Sequence, residues 1–77
     1  MNSREKLGKR LGTLRKIAGL SQKQLAEKMG VHFSFVSQIE RGACPIPIDK
    51  LLILPEILGC KLDDFDVRRK VLKVKVQ

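Results

Sequence analysis

Apolar residues recur three and four positions apart along most of the chain, which is the spacing of helices that bury one face. The first such stripe falls in residues 4–18 and is formed by Leu7, Leu11, Leu14, Ile17 and Ala18. We expect Ser3 to cap this helix at its N-terminus and Gly19 to end it. Gly8 and Gly12 lie inside the helix, which indicates either a close contact with another helix or simple tolerance of glycine.

Two shorter helices are predicted between Ser21 and Gly42. Ser21 and Gln24 have the spacing of a capping box, in which each side chain bonds to the backbone N–H of the other residue. Gly30 stands where a helix ends in the left-handed conformation. The apolar faces of the two helices are formed by Leu25, Ala26, Met29, Val36 and Ile39, with Phe35 alongside.

The spacing of these residues predicts a helix-turn-helix rather than any pair of core helices. Two helices that cross steeply through a turn of a few residues approach closely, so their contact point needs a small side chain such as Ala26. The turn also needs a residue that accepts a positive φ, which Gly30 supplies. An ordinary helical pair would explain the apolar stripe, but it would not explain Ala26 and Gly30 together.

The remainder of the chain predicts a loop, two more helices and a tail of different period. Two prolines in residues 43–47 favour a loop, and residues 48–58 form an apolar helix in which Pro55 predicts a kink or break near Leu54. A short fifth helix is expected from Leu62 to about Arg68, with Phe65 pointing inward. In the tail, apolar residues alternate with Lys73, Lys75 and Gln77, so a dimerising strand, a disordered basic tail and a helical extension all stay open.

The segment from Leu14 to Phe65 resembles the XRE-type helix-turn-helix family of Cro- and CI-like phage repressors, on the stretches LRKIAGLSQKQLAEKMGV and VSQIERG. The resemblance implies an all-α, compact five-helix, lambda-repressor-like DNA-binding domain over residues 1–66, with its motif at 21–42. It does not cover the basic C-terminal tail, 67–77, and the loop after the motif is about one residue longer than is usual in the family.

Charge is distributed unevenly, and its pattern favours a polyanionic partner. The net charge is +8, with basic residues concentrated in the first twenty residues and in the tail, while residues 43–66 carry an excess of acids. Together with the motif, this charge pattern predicts a nucleic-acid partner, and the resemblance implies that the partner is double-stranded DNA.

Other classes of protein receive little support. Cys44 and Cys60 stand apart from each other with a single histidine, His32, in the chain, so we expect no metal site or other cofactor and two reduced thiols rather than a disulfide. No apolar run is long enough for a membrane span and no signal segment follows the charged start, which predicts a cytoplasmic protein with no membrane partner. The chain shows no catalytic constellation, so we expect no enzyme.

The predicted reading helix, residues 33–41, would enter the major groove of DNA. With Val36 and Ile39 turned inward, its outward positions are Phe33, Ser34, Ser37 and Gln38. The resemblance implies base contacts from Phe33, Ser34 and Gln38; Ser37 could serve a base or a phosphate. Phe33 departs from the polar residues usual at its position, and it could cover a thymine methyl group, fold back as a hydrophobic staple or touch a protein partner. His32 replaces the usual capping residue, so we expect a weakly capped helix start.

Affinity would come from contacts with phosphates, because the reading helix carries no charge between Phe33 and Ile39. The resemblance implies that Gln22 bonds a phosphate at the N-terminus of its helix, where the helix dipole favours an anion. Lys23, Arg10 and Arg41 would supply further phosphate contacts.

The resemblance also implies an ion pair between Arg15 and Glu40; the alternative is two independent surface charges. These features together predict a sequence-specific transcriptional regulator, a repressor, that binds as a homodimer because one short helix reads few base pairs. The alternative is a protein-interaction module or antitoxin component that uses the same fold and binds a toxin or the transcription machinery.

Overall fold

The structure, a computed structural model, describes residues 3–65, and this part of the chain folds as four α-helices followed by one turn of 3₁₀ helix. The helices are α1 (Ser3–Ile17), α2 (Gln22–Met29), α3 (Phe33–Glu40) and α4 (Ile48–Leu58), and the 3₁₀ turn is Leu62–Phe65. The all-α class predicted from the sequence is confirmed. The fifth element is a 3₁₀ turn rather than an α-helix where it is described, and both its predicted continuation to Arg68 and the tail, 67–77, lie outside the described residues.

One core joins all of these elements. Helix α3 packs against both α1 and α2, α4 packs against α2, and the 3₁₀ turn packs against α1 and α4. The most completely buried large side chains are Phe65, Leu11, Leu25, Ile39, Leu54 and Val36. Each of the four helices and the 3₁₀ turn therefore contributes at least one side chain to the centre, which holds α3 against the rest of the fold.

The local chemistry of α2 follows the prediction. The Ser21 hydroxyl accepts from the Gln24 backbone N–H at 3.0 Å, and the Gln24 side chain accepts from the Ser21 N–H at 2.8 Å, so the capping box is complete. Gly30 ends the helix with φ of 74°, a conformation that residues with a β-carbon rarely adopt. Ala26 is buried in the core, as the predicted helix-turn-helix requires.

Gly8 lies at a close approach of α1 to α3. A β-carbon at Gly8 would overlap the backbone carbonyl oxygen of Ile39 and would lie 3.1 Å from that of Glu40. One turn later, a β-carbon at Gly12 would lie 3.3 Å from the Glu40 side-chain oxygen Oε1. The close helix contact, one of the two explanations for these glycines, is therefore the one observed.

One of the two outcomes predicted for Pro55 is wrong, and so is the place of Ile17 in the apolar stripe. Helix α4 is not broken near Leu54, because proline lacks only its own N–H and the helical hydrogen bonds continue past it: the Pro55 carbonyl accepts from the backbone N–H groups of Gly59 and Cys60. Ile17 does not extend the apolar stripe of α1. It is the last residue of that helix, at the end where the chain leaves α1, and it is 77% exposed.

Within residues 3–65, every helix is too short or too polar to cross a lipid bilayer.

Candidate nucleic-acid interface

Helix α3 has one buried and one exposed face. Val36 and Ile39 are buried in the core, whereas Phe33, Ser34 and Gln38 are exposed. Ser37, the fourth outward position, is partly covered. The helix therefore presents a short row of side chains that carry no charge and can give or accept hydrogen bonds or make apolar contacts.

The N-terminus of α3 is capped, contrary to the weak cap expected from the sequence. His32 has extended backbone angles, and its ring nitrogen Nδ1 accepts from the Ser34 backbone N–H at 3.1 Å. The same nitrogen lies 2.8 Å from the Ser34 hydroxyl oxygen. An imidazole nitrogen accepts a hydrogen bond as a capping oxygen does, which the preference for serine, threonine or aspartate at this position does not take into account.

Phe33 lies at the surface beside this cap. Its side chain is 50% exposed, and its ring lies with its centroid 4.8 Å from that of His32 at an interplanar angle of 31°. Such tilted ring pairs hold each other in place. Phe33 therefore neither enters the core nor points freely into solvent, and its apolar face remains accessible next to Ser34.

The C-terminus of α3 leads into the loop through backbone hydrogen bonds. The Gly42 N–H donates to the Ile39 carbonyl at 3.0 Å and the Ala43 N–H donates to the Gln38 carbonyl at 2.8 Å. The Gln38 side chain is left at the surface, where the Cys44 thiol approaches its amide oxygen at 4.0 Å. That contact is long, so the amide keeps its capacity to donate and to accept.

A hydrogen-bonded network ties α3 to α1 and α2. Arg15 Nε donates to Glu40 Oε2 at 2.7 Å, Arg15 Nη2 donates to Glu40 Oε1 at 3.1 Å, and Arg15 Nη1 donates to the Leu20 carbonyl at 2.8 Å. The two charged side chains are only 11% and 12% exposed. This two-point geometry is the strong form of an arginine–carboxylate pair, and it brings together the two residues for which the resemblance implied an ion pair.

Gln22 belongs to the same network. Its side-chain Nε2 donates to Glu40 Oε1 at 3.0 Å, and the residue is partly buried. Sequence reasoning assigned Gln22 to a phosphate and missed this contact, because nothing local relates two residues on different helices. The bond to Glu40 uses one hydrogen of the amide, so the second hydrogen is the one that could meet a phosphate.

The three predicted basic contacts, Arg10, Lys23 and Arg41, are exposed. They lie on α1, on the first turn of α2 and just after α3. Arg41 Nε makes a long contact of 3.4 Å with the Ser37 carbonyl, which directs the guanidinium back along α3. Lys50, which the sequence did not single out, has another role: its Nζ donates to the Met29 carbonyl at 3.1 Å and so bonds a free carbonyl at the end of α2.

The two cysteines are free thiols and both are partly buried. Burial, and secondarily the negative charge of Asp64, raises the pKa of the Cys60 thiol above its usual value, so it stays protonated to higher pH. Among the described residues, no group of three histidine, cysteine or acidic side chains could hold a metal ion.

Comparison with known proteins identifies the fold's relatives. A helix-turn-helix family model matches residues 11–65. The control protein C.SmaI of Serratia marcescens is 34% identical over 59 residues, which span 77% of this chain and 70% of that protein. The crystal structure of the clp gene regulator ClgR from C. glutamicum superposes with a TM-score of 0.80 at 28% identity, over 87% of each chain. The family match covers the motif, the exposed face of α3 and the Arg15–Glu40 pair together, and the chain therefore belongs to the XRE-type helix-turn-helix family of DNA-binding transcriptional regulators.

Proposed function

We propose that this protein is a sequence-specific repressor that binds double-stranded DNA as a homodimer and places α3 in the major groove. The observation that carries the proposal is the construction of α3: its exposed face consists of uncharged side chains that suit base edges, and its buried face and the Glu40 network hold it at one angle. The names of the two relatives, a control protein and a gene regulator, agree with a regulatory role. No catalytic step is part of this function.

Gln38 is the principal base-reading residue of the proposal. Its amide can accept from adenine N6 and donate to adenine N7, a pair of hydrogen bonds that no other base offers in the major groove and that is worth roughly 1–3 kcal/mol of discrimination. Ser34 and Ser37 supply weaker contacts. The exposed ring of Phe33 can cover a thymine methyl group.

Affinity comes from phosphate contacts around this surface. Lys23 lies on the first turn of α2, Arg41 lies just after α3 and Arg10 lies on α1, while Gln22 offers its second amide hydrogen at the N-terminus of α2. If roughly six phosphates are neutralised, the logarithm of the binding constant should fall with the logarithm of the salt concentration with a slope of about −5. Two copies on half-sites about 34 Å apart supply the sequence length that one short helix cannot read.

Selection of bound duplexes from a random pool, followed by mobility-shift titration, tests the proposal. We expect a palindromic consensus. Gln38→Ala should relax the preference at one position of each half-site, whereas Lys23→Ala should weaken all duplexes by a similar factor. An unchanged consensus for Gln38→Ala would show that Gln38 is not a reader, and the absence of any consensus for the wild type would refute sequence-specific binding.

The second candidate function is a protein-interaction module, such as an antitoxin or a factor that contacts the transcription machinery. Exposed apolar side chains favour it: Ile48, Leu52 and Ile53 lie on the outer face of α4, and Phe33 lies on α3. Mobility-shift titration of a mixed-sequence duplex at low and at moderate salt separates the two functions. A DNA-binding regulator shifts the duplex at low salt, and a pure protein-binding module shifts it at neither concentration.

A further inference from the structure

Nδ1 of His32 is the target of two hydrogens from one residue. The backbone N–H of Ser34 donates to this nitrogen at 3.1 Å, which requires that Nδ1 carry no proton. The Ser34 hydroxyl oxygen lies 2.8 Å from the same nitrogen. In the tautomer with an unprotonated Nδ1, the hydroxyl is the donor of this second contact, and its hydrogen shares the single lone pair of Nδ1 with the backbone N–H.

The chemical character of both side chains follows from these two bonds. The Ser34 hydroxyl has used its only hydrogen on His32, so it faces outward with lone pairs alone and can only accept. The neutral His32 ring must carry its proton on Nε2, the nitrogen on the far side of the ring from the cap. The ring contact with Phe33, 4.8 Å between centroids, holds the imidazole in this orientation.

We propose that His32 and Ser34 form one base-reading unit, in which His32 makes Ser34 an obligate acceptor and presents its own Nε2–H as a donor beside it. The inference rests on the proposed function, since it requires that α3 enter the major groove. Neither residue is covered: both are exposed at the first turn of α3.

The unit selects bases by their hydrogen-bonding groups. An acceptor in the major groove meets the amino group of adenine (N6) or of cytosine (N4), and it is repelled by the oxygens of guanine (O6) and thymine (O4). A serine hydroxyl that is free to rotate can either donate or accept a hydrogen bond, so it would tolerate any of the four bases. Ser34 should therefore prefer adenine or cytosine at its position, and the His32 Nε2–H should favour an adjacent base edge that offers an acceptor.

The test separates this role from that of an ordinary helix cap. His32→Ser keeps a good N-cap residue but removes the imidazole ring, and with it both the Nδ1 atom that lies 2.8 Å from the Ser34 hydroxyl and the Nε2–H donor. Its melting temperature should stay within about 4 °C of the wild type. Ser34→Ala is the matched variant, because it removes the accepting oxygen and leaves the His32 bond to the backbone N–H intact.

Competition binding with duplexes that carry each base at each position of the selected half-site gives the readout. The expected result is that His32→Ser lowers the preference for adenine or cytosine over guanine or thymine by about tenfold, at the same base pair where Ser34→Ala loses its preference. Affinity for mixed-sequence duplex should change little.

Three outcomes would overturn the inference. If His32→Ser has the wild-type consensus and affinity, His32 is only a cap. If it weakens all duplexes alike, the ring meets a phosphate rather than a base. If the preference changes only at the position that Phe33→Ala also affects, the ring acts through Phe33. In all three cases the wild type still selects a consensus, so the proposed function stands; a wild type without a consensus refutes both.

Discussion

Two alanine substitutions one helical turn apart in α1 should have different effects on stability. At Gly8, an added β-carbon overlaps the backbone carbonyl oxygen of Ile39, whereas at Gly12 it lies 3.3 Å from the side-chain oxygen of Glu40. The Ile39 carbonyl cannot move away easily, because it accepts from the Gly42 N–H at 3.0 Å in the bonding that ends α3. The Glu40 side chain can yield by a few tenths of an ångström.

The magnitudes follow from two opposing contributions. Alanine in place of glycine in a helix interior stabilises by about 1 kcal/mol. Overpacking against fixed atoms costs about 1–3 kcal/mol, and the contact with backbone at Gly8 favours the upper part of that range. Gly8→Ala should therefore destabilise the fold by roughly 1–2 kcal/mol net, whereas Gly12→Ala should stay within roughly 0.5 kcal/mol of the wild type or gain slightly.

Thermal unfolding followed by far-UV circular dichroism measures both effects. For a domain of this size, 1 kcal/mol shifts the melting temperature by roughly 4–8 °C, so Gly8→Ala should melt some 5–15 °C below the wild type. Gly12→Ala, which carries the same added methyl group, is the matched control. Equal melting temperatures for the two variants would show that α1 and α3 do not meet at Gly8 as described.

Two further predictions concern the Glu40 network and Cys60. Arg15→Met and Glu40→Gln should each destabilise the fold by about 2–4 kcal/mol in urea unfolding, because each leaves a largely buried charge without its partner. The double variant should lose less stability than the sum of the two single variants. Additive losses would mean that the pair does not interact. Because burial and Asp64 raise the pKa of Cys60, its thiol is more protonated in the folded than in the unfolded state. Iodoacetamide should therefore alkylate Cys60 more slowly in native protein than in urea at pH 8–9, and equal alkylation rates would contradict the assignment. The raised pKa also stabilises the folded state at lower pH, and this stabilisation should be lost as the pH rises through the folded-state pKa of Cys60.

The elements that sequence analysis predicted well are those specified by neighbouring residues. The capping box of Ser21 and Gln24 and the left-handed end at Gly30 depend on contacts within one turn, so residue type and spacing are sufficient to predict them. The buried face of α3 followed in the same way from Val36 and Ile39.

The errors arise where tertiary context decides. The exposure of Ile17 depends on which elements cover the end of α1, and the continuity of α4 through Pro55 is supported by the burial of Leu51, Leu54 and Leu58 in the core. Periodicity and residue preference contain neither piece of information.

The same distinction between local and tertiary information applies to the candidate site. Its outward residues could be predicted because they are the complement of the buried stripe on one helix. The bond between Gln22 and Glu40 could not, since it joins side chains 18 positions apart whose meeting depends on the crossing of α2 and α3. The cap by His32 is local, and attention to imidazole as an acceptor would have found it.

The separation of the two faces of α3 has a consequence for how such a protein can change its target. Val36, Ile39 and Glu40 hold the helix in position, while Ser34 and Gln38 make little contribution to the packed interior. Substitutions on the outer row can therefore alter the preferred operator at small thermodynamic cost, usually within about 0.5 kcal/mol for surface positions. A library randomised at those positions should yield new specificities on an unchanged scaffold.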